Sequence, residues 1–133
     1  MHNRYLRRKT ALRNLAERLI EPEFVDKFTA AYVADTAFTR KAVIGREIEV
    51  PHKLLLLDRE EEDNLIDREP LGTVVVLIPK NSIGLTLAKA IASSHLMGNR
   101  TRIYFPFSLK NTAPIYGKLL SETLEDKIGR AHV

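Results

Sequence analysis

The sequence predicts an α/β fold in which N-terminal helices lead into a βαβα unit with a parallel sheet. Three observations carry this. Helical periodicity fills the first part of the chain. Thr73-Val74-Val75-Val76-Leu77-Ile78 is a continuous apolar run, mostly β-branched. From there strand-like and helical segments alternate at βαβ spacing. The helical lead-in covers residues 1–67 and the βαβα unit residues 68–126.

Leu12, Leu15, Ala16 and Leu19 repeat at i, i+3, i+4 and i+7, so a first helix is expected from roughly Tyr5 to Ile20. Pro22 suits the first turn of a second helix, with Glu23 placed against its dipole. Phe24, Phe28 and Tyr32 form a buried aromatic stripe on that helix, and Asp35 follows at the same spacing. Phe38, Ala42 and Gly45 continue helical spacing toward Ile48, and Pro51 is expected to interrupt it. Leu54 to Leu57 then make a short buried segment. Asp58 to Asp63 read as an acidic, solvated connection, with no histidine to turn the carboxylates into a metal site.

Thr73 to Ile78 is expected to be a strand buried on both faces. Pro79-Lys80-Asn81-Ser82 is a turn that also caps the next helix. Leu85, Ala88, Lys89, Ile91, Ala92, His95 and Leu96 make that helix, and Gly98 supplies its left-handed stop. Arg102 to Phe105 form a second strand. Thr112 to Leu124 form a helix whose apolar face is Ile115, Leu119, Leu120 and Leu124.

Composition narrows the class. With 44% apolar and 29% charged residues, the chain is an ordinary globular domain and can bury a core. Its longest apolar runs, Leu54 to Leu57 and Val74 to Ile78, are too short to span a bilayer, so no membrane partner is expected. No apolar stretch follows the N-terminal charges, and a secretory leader is not expected. The absence of cysteine excludes disulfides and thiolate metal sites and points to a cytoplasmic protein. The net charge of +4 is modest, and part of it clusters early, in Arg4, Arg7, Arg8, Lys9, Arg13 and Arg18. Only Tyr5 lies among them, so they read as a solvated helix face and no nucleic-acid partner is expected.

The C-terminal residues are expected to have a different origin. Ile128-Gly129-Arg130-Ala131-His132-Val133 matches what the string ATC GGA AGA GCA CAC GTC TGA would encode before its stop. That string belongs to a widely used short-read sequencing adapter, and the codon of Lys127 also fits it. Residues 127–133 are therefore expected to be adapter read-through, with the natural protein continuing past Asp126.

In an open parallel sheet, ligands bind beyond the carboxyl ends of the strands. Two turns meet that condition, Pro79 to Ser82 and Phe105 to Lys110. Neither carries a Gly-x-Gly-x-x-Gly fingerprint or a phosphate-cradling Gly-x-x-x-x-Gly-Lys-Ser/Thr loop. Asn81 is the prominent polar residue there, and from its position alone it is either a helix cap or a site group.

Arg68-Glu69-Pro70-Leu71-Gly72, then an apolar strand, Pro79-Lys80-Asn81-Ser82-Ile83, and a helix ending Met97-Gly98-Asn99 resemble the aldehyde dehydrogenase superfamily. Members commonly read Arg-Glu-Pro-Leu-Gly, a strand, Pro-Trp-Asn-Phe-Pro, and a helix closing Ala-Gly-Asn. The resemblance covers Arg68 to Glu125 and runs from Pro79 to Asn99 without a gap. It implies the truncated start of a Rossmann-like nucleotide-binding domain. It further implies that Asn81 donates its amide to the oxyanion formed at catalysis, and that the Leu77, Ile78, Pro79 and Lys80 backbone lines a crevice for NAD or NADP. The family's ribose-contacting lysine falls on Tyr104. Tyr104-Phe105-Pro106 and Lys110 look more like the CoA-acylating branch, which interconverts aldehydes and acyl-CoA. The family's tryptophan is replaced by Lys80, and its second proline by Ile83.

The expected parent is thus an NAD(P)-dependent oxidoreductase acting on a small-molecule aldehyde through a downstream cysteine, and as a full-length protein a homo-oligomer. The chain alone is expected to be inactive, with a valine-rich sheet edge left unpaired. The alternative is a small α/β binding module without chemistry.

Overall fold

The computed structural model describes residues 2–57, 70–124 and 128–132, with side chains described from Arg4 to Leu57 and Pro70 to Leu124. Arg68, Glu69 and the acidic stretch from Asp58 to Asp63 lie outside the described residues.

Helix α1 (His2–Leu19) buries Tyr5, Leu12, Leu15, Ala16 and Leu19, the stripe its spacing predicts. Helix α2 (Pro22–Thr36) starts on Pro22, whose missing N–H costs nothing in a first turn, and buries Phe24, Phe28 and Tyr32. These rings stack in sequence, 5.6 Å and 5.3 Å between centroids, and meet Tyr116 at 5.5 Å from Phe28. Ala37 ends α2 in the left-handed region, φ 64°, and its N–H returns to the Val33 carbonyl.

Thr39 then caps α3 (Arg40–Val43) by accepting from the Ala42 N–H. The helical path continues through a π-helical segment (Ile44–Glu49) into α4 (Val50–Leu56), and the backbone stays right-handed at both junctions. Pro51 does not interrupt it. The π turn widens the backbone just ahead of the proline ring, with Val50 N–H bonding five residues back to the Gly45 carbonyl. Leu54 to Leu57 are not buried as a block either: on a helix their directions diverge, so Leu55 is buried while Leu56 and Leu57 are exposed.

Strand β1 (Thr73–Leu77) leads through the 79–82 turn into a second bulged helix, made of α5 (Ile83–Thr86), a π segment (Leu87–Ile91) and α6 (Ala92–Leu96). Gly98, φ +79°, ends it as expected. Asn99 is buried, and its side-chain oxygen accepts from Gly72 N–H at 3.1 Å, tying the end of the helix to the start of β1. Strand β2 (Arg100–Phe105), a 3-10 turn (Phe107–Leu109), helix α7 (Thr112–Leu124) and strand β3 (Ile128–His132) follow. The sheet order is β1-β2-β3, with both pairings parallel.

Residues 128–132, the stretch read as adapter, supply β3 through backbone pairing with the free edge of β2. Such pairing uses main-chain groups common to any extended segment, so it is indifferent to where the residues came from.

The expectation that β1 is buried on both faces is corrected. Val76 is buried, but Val75 and Leu77 are 57% and 68% exposed. Right-handed crossovers between strands laid down in one direction fall on one face of a sheet. The burial agrees: Thr101, Ile103 and Phe105 of β2 face the helices, while Arg100 and Arg102 stand exposed beside Thr73 and Val75. The basic N-terminal residues are not all solvated. Arg8 Nε donates to the Leu96 carbonyl at 3.0 Å, closing the C-terminus of α6, and Arg18 pairs with Glu122 on α7 at 2.9 Å. No helix among the described residues is long and apolar enough to cross a membrane. No group of three or more metal-ligating side chains occurs among them either.

Candidate functional site

The carboxyl ends of β1 and β2 lie side by side, and the register sets Leu77 beside Tyr104 on the open face of the sheet. Leu77 is exposed and Tyr104 half-buried. The next residue, Ile78, points the other way and is buried, and its N–H donates to the Tyr104 carbonyl at 2.9 Å. The sheet therefore consumes the main-chain donor of Ile78. Pro79, Lys80 and Asn81 are exposed in the turn that follows. The residues named from the sequence thus fall at one edge of the sheet, with Leu77, Tyr104 and the 79–81 turn accessible and Ile78 turned inward.

Asn81 does not cap the helix. Ser82 occupies the cap position, and neither its side chain nor that of Asn81 makes a capping hydrogen bond among the described residues. The first-turn N–H of Gly84 donates instead to Glu47 Oε1 at 2.8 Å, from the π segment of the preceding bulged helix. A carboxylate at a helix N-terminus satisfies an orphan donor and is favoured by the helix dipole. Glu47 thus takes over the capping task that the 79–82 turn would otherwise perform. The approach is close: a Cβ on Gly84 would lie 2.3 Å from Pro51 Cγ and 2.9 Å from Glu47 Oε1.

Tyr32 completes the support. Its hydroxyl donates to the Lys80 carbonyl at 2.5 Å, one residue before Asn81. The same phenol contacts the Glu47 carboxyl and the Ile83 backbone amide. Burial pushes the Tyr32 hydroxyl well above its ordinary value, and the Glu47 charge pushes in the same direction. Burial likewise raises the Glu47 carboxyl, opposed by the Gly84 N–H, Arg46 and the Tyr32 hydroxyl. Tyr116, also buried, is raised by desolvation and then by Glu47 and Tyr32. The phenolic proton is given to the Lys80 carbonyl, with the Glu47 carboxyl close by.

Neither Glu47 nor Tyr32 was singled out from the sequence as a site residue. A signal existed: Val43, Glu47, Pro51 and Leu55 recur every four residues and all four are buried. A carboxylate in the middle of an apolar stripe is conspicuous once the helix is carried through Pro51. The 105–110 turn has its own anchor. Asp35, at the end of α2, accepts from the backbone N–H groups of Asn111 and Thr112 at 3.0 and 2.8 Å, and from the Thr112 hydroxyl at 2.7 Å.

The sequence matches no protein-family model, and no curated protein matches it. A solved structure of Staphylococcus aureus AldH, described as its substrate-bound state, matches the chain with a TM-score of 0.79 at 19% sequence identity. The match covers 95% of this chain and 31% of the AldH chain, so the chain spans less than a third of that protein's length. The chain therefore has the fold of a part of an aldehyde dehydrogenase.

Proposed function

We propose that the chain is the N-terminal part of the nucleotide-binding domain of an NAD(P)-dependent aldehyde dehydrogenase, cytoplasmic and homo-oligomeric as a full-length protein. The observation that carries this reading is Asn81. It stands exposed beyond the carboxyl end of β1, relieved of capping by Glu47, on a backbone that follows AldH over 95% of the chain. A polar amide free of structural duty, at a rigid strand-to-helix turn, suits an oxyanion donor.

In this reading a cysteine elsewhere in the parent adds to the aldehyde carbonyl, since the chain itself has no cysteine. Asn81 donates to the oxygen on which charge develops. The bound nicotinamide cofactor supplies a hydride acceptor. Leu77 and Tyr104, adjacent on the open sheet face, fit the flat, partly apolar portion of a dinucleotide. They offer no charged group to its phosphates, and the Gly84 amide is already committed to Glu47.

The test is turnover in the full-length protein. Asn81→Ala should lower kcat roughly 10²–10³-fold with little change in aldehyde KM. Asn81→Asp should fold normally and be nearly inactive, because it sets a negative charge against the oxyanion. An Asp variant with near-normal turnover removes Asn81 from the site. Running the assay with and without CoA separates hydrolytic from CoA-acylating chemistry. No aldehyde-dependent NAD(P)H formation in either case would identify a non-catalytic module instead.

A further inference from the structure

Two side chains from helices that precede the sheet hold the turn on which Asn81 sits. Tyr32 of α2 holds the carbonyl of Lys80, on one side of Asn81, at 2.5 Å. Glu47 holds the amide of Gly84, three residues past Asn81, at 2.8 Å. The two side chains also contact each other. Both side chains are buried, at 0% and 2% exposure, and the Glu47–Gly84 hydrogen bond lies out of solvent. Glu47 reaches Gly84 from a π segment, and Gly84 has no side chain to hold it off. Between the two grips, the 80–84 segment has little freedom to rotate.

We infer that Glu47 and Tyr32 are positioning residues that clamp the Asn81 turn from beneath and so set the direction in which the Asn81 amide points. The inference rests on the reading of Asn81 as the oxyanion donor. Electrostatic stabilisation of this kind depends on donors held in place before charge develops, and small misplacements cost rate far more than affinity. Burial adds to the stiffness at Glu47, since a buried carboxyl that leaves the Gly84 amide has no water to take its place.

The experiment is a double-mutant cycle in the full-length enzyme, with kcat, KM and thermal stability measured on every variant. Glu47→Leu removes the acceptor, and Glu47→Gln keeps an oxygen for Gly84. Tyr32→Phe removes only the hydroxyl and serves as the gentler variant should Glu47→Leu fail to fold. Expected are a roughly 10- to 100-fold fall in kcat for Glu47→Leu or Tyr32→Phe, an aldehyde KM within about twofold, and substantial recovery in Glu47→Gln. In an Asn81→Ala background the same changes should have almost no further effect on kcat, because the residues act through the amide. A loss of kcat that is the same in both backgrounds overturns the inference and leaves the Asn81 reading standing, as does unchanged kcat in folded Glu47→Leu and Tyr32→Phe. Near-normal turnover in Asn81→Ala itself overturns both.

Discussion

Gly45, two residues before Glu47, and Gly84, which donates to Glu47, should respond oppositely to the same methyl group. Replacing glycine by alanine inside a helix gains up to about 1 kcal/mol, because the unfolded chain loses more freedom. At Gly45 an added Cβ meets nothing within 4 Å, so the gain should stand. At Gly84 the Cβ would lie 2.3 Å from Pro51 Cγ and 3.1 Å from Glu47 Cα, against a normal carbon–carbon separation of about 3.5–4.0 Å. The proline ring cannot swing away, so the two bulged helices must separate by about 1 Å. Overpacking of this kind costs about 1–3 kcal/mol. The same separation strains the 2.8 Å Gly84–Glu47 hydrogen bond, worth about another 1 kcal/mol, which cancels the helix gain. Gly84→Ala should therefore destabilise by about 1–3 kcal/mol while Gly45→Ala is neutral or stabilising. Urea denaturation read by the shift in midpoint at constant m measures both. Combining Gly84→Ala with Pro51→Ala removes the colliding carbon and should recover part of the loss as a favourable coupling. If Gly84→Ala matches Gly45→Ala, the close approach of the helices is wrong, and with it the clamp on the 79–84 turn.

Two further outcomes are expected. Asp35→Ala strips the N-terminus of α7 of a carboxylate that accepts from Asn111 and Thr112, and should cost about 2 kcal/mol by denaturation, with amide exchange accelerating first near residue 112; a cost below about 0.5 kcal/mol would show that solvent caps the helix equally well. The Glu47 carboxyl, raised by burial above its ordinary 4.5, with Arg46, Tyr32 and Tyr116 as the ionisable groups around it, keeps its proton to higher pH folded than unfolded. Its contribution to stability is therefore complete below about 4.5 and declines as pH rises through the folded value. Glu47→Gln cannot ionise, so the stability of the native chain relative to it should fall with rising pH, and parallel curves would refute the assignment.

Much of the fold was legible in local pattern. The stripe Leu12, Leu15, Ala16 and Leu19, Pro22 at a helix start, the aromatic series on α2, and Gly98 as a left-handed stop each follow from one or two turns of chain. Pro51 departs from its usual effect because a π turn precedes it. A π turn depends on five-residue hydrogen bonding and packing that no single residue announces. Stopping the helix at Pro51 also hid Glu47, whose place in the Val43, Pro51 and Leu55 stripe appears only when the helix is continuous.

The same division holds at the site. The order of chemistry along the chain, an apolar strand followed by Pro79-Lys80-Asn81-Ser82 and a helix closed at Gly98, is written in the sequence because strands, turns and stops are set by neighbouring residues. Which face of β1 is bare, who caps the helix after Asn81, and what holds the turn were decided by tertiary structure. Strand order placed the crossovers on one face and left Val75 and Leu77 uncovered. Capping passed from the turn's own residues to Glu47, 37 residues earlier, and anchoring of Lys80 passed to Tyr32, 48 residues earlier. Hydrogen-bond partners that distant meet only when helices pack, and packing is a property of whole surfaces, not of the local spacing a sequence displays.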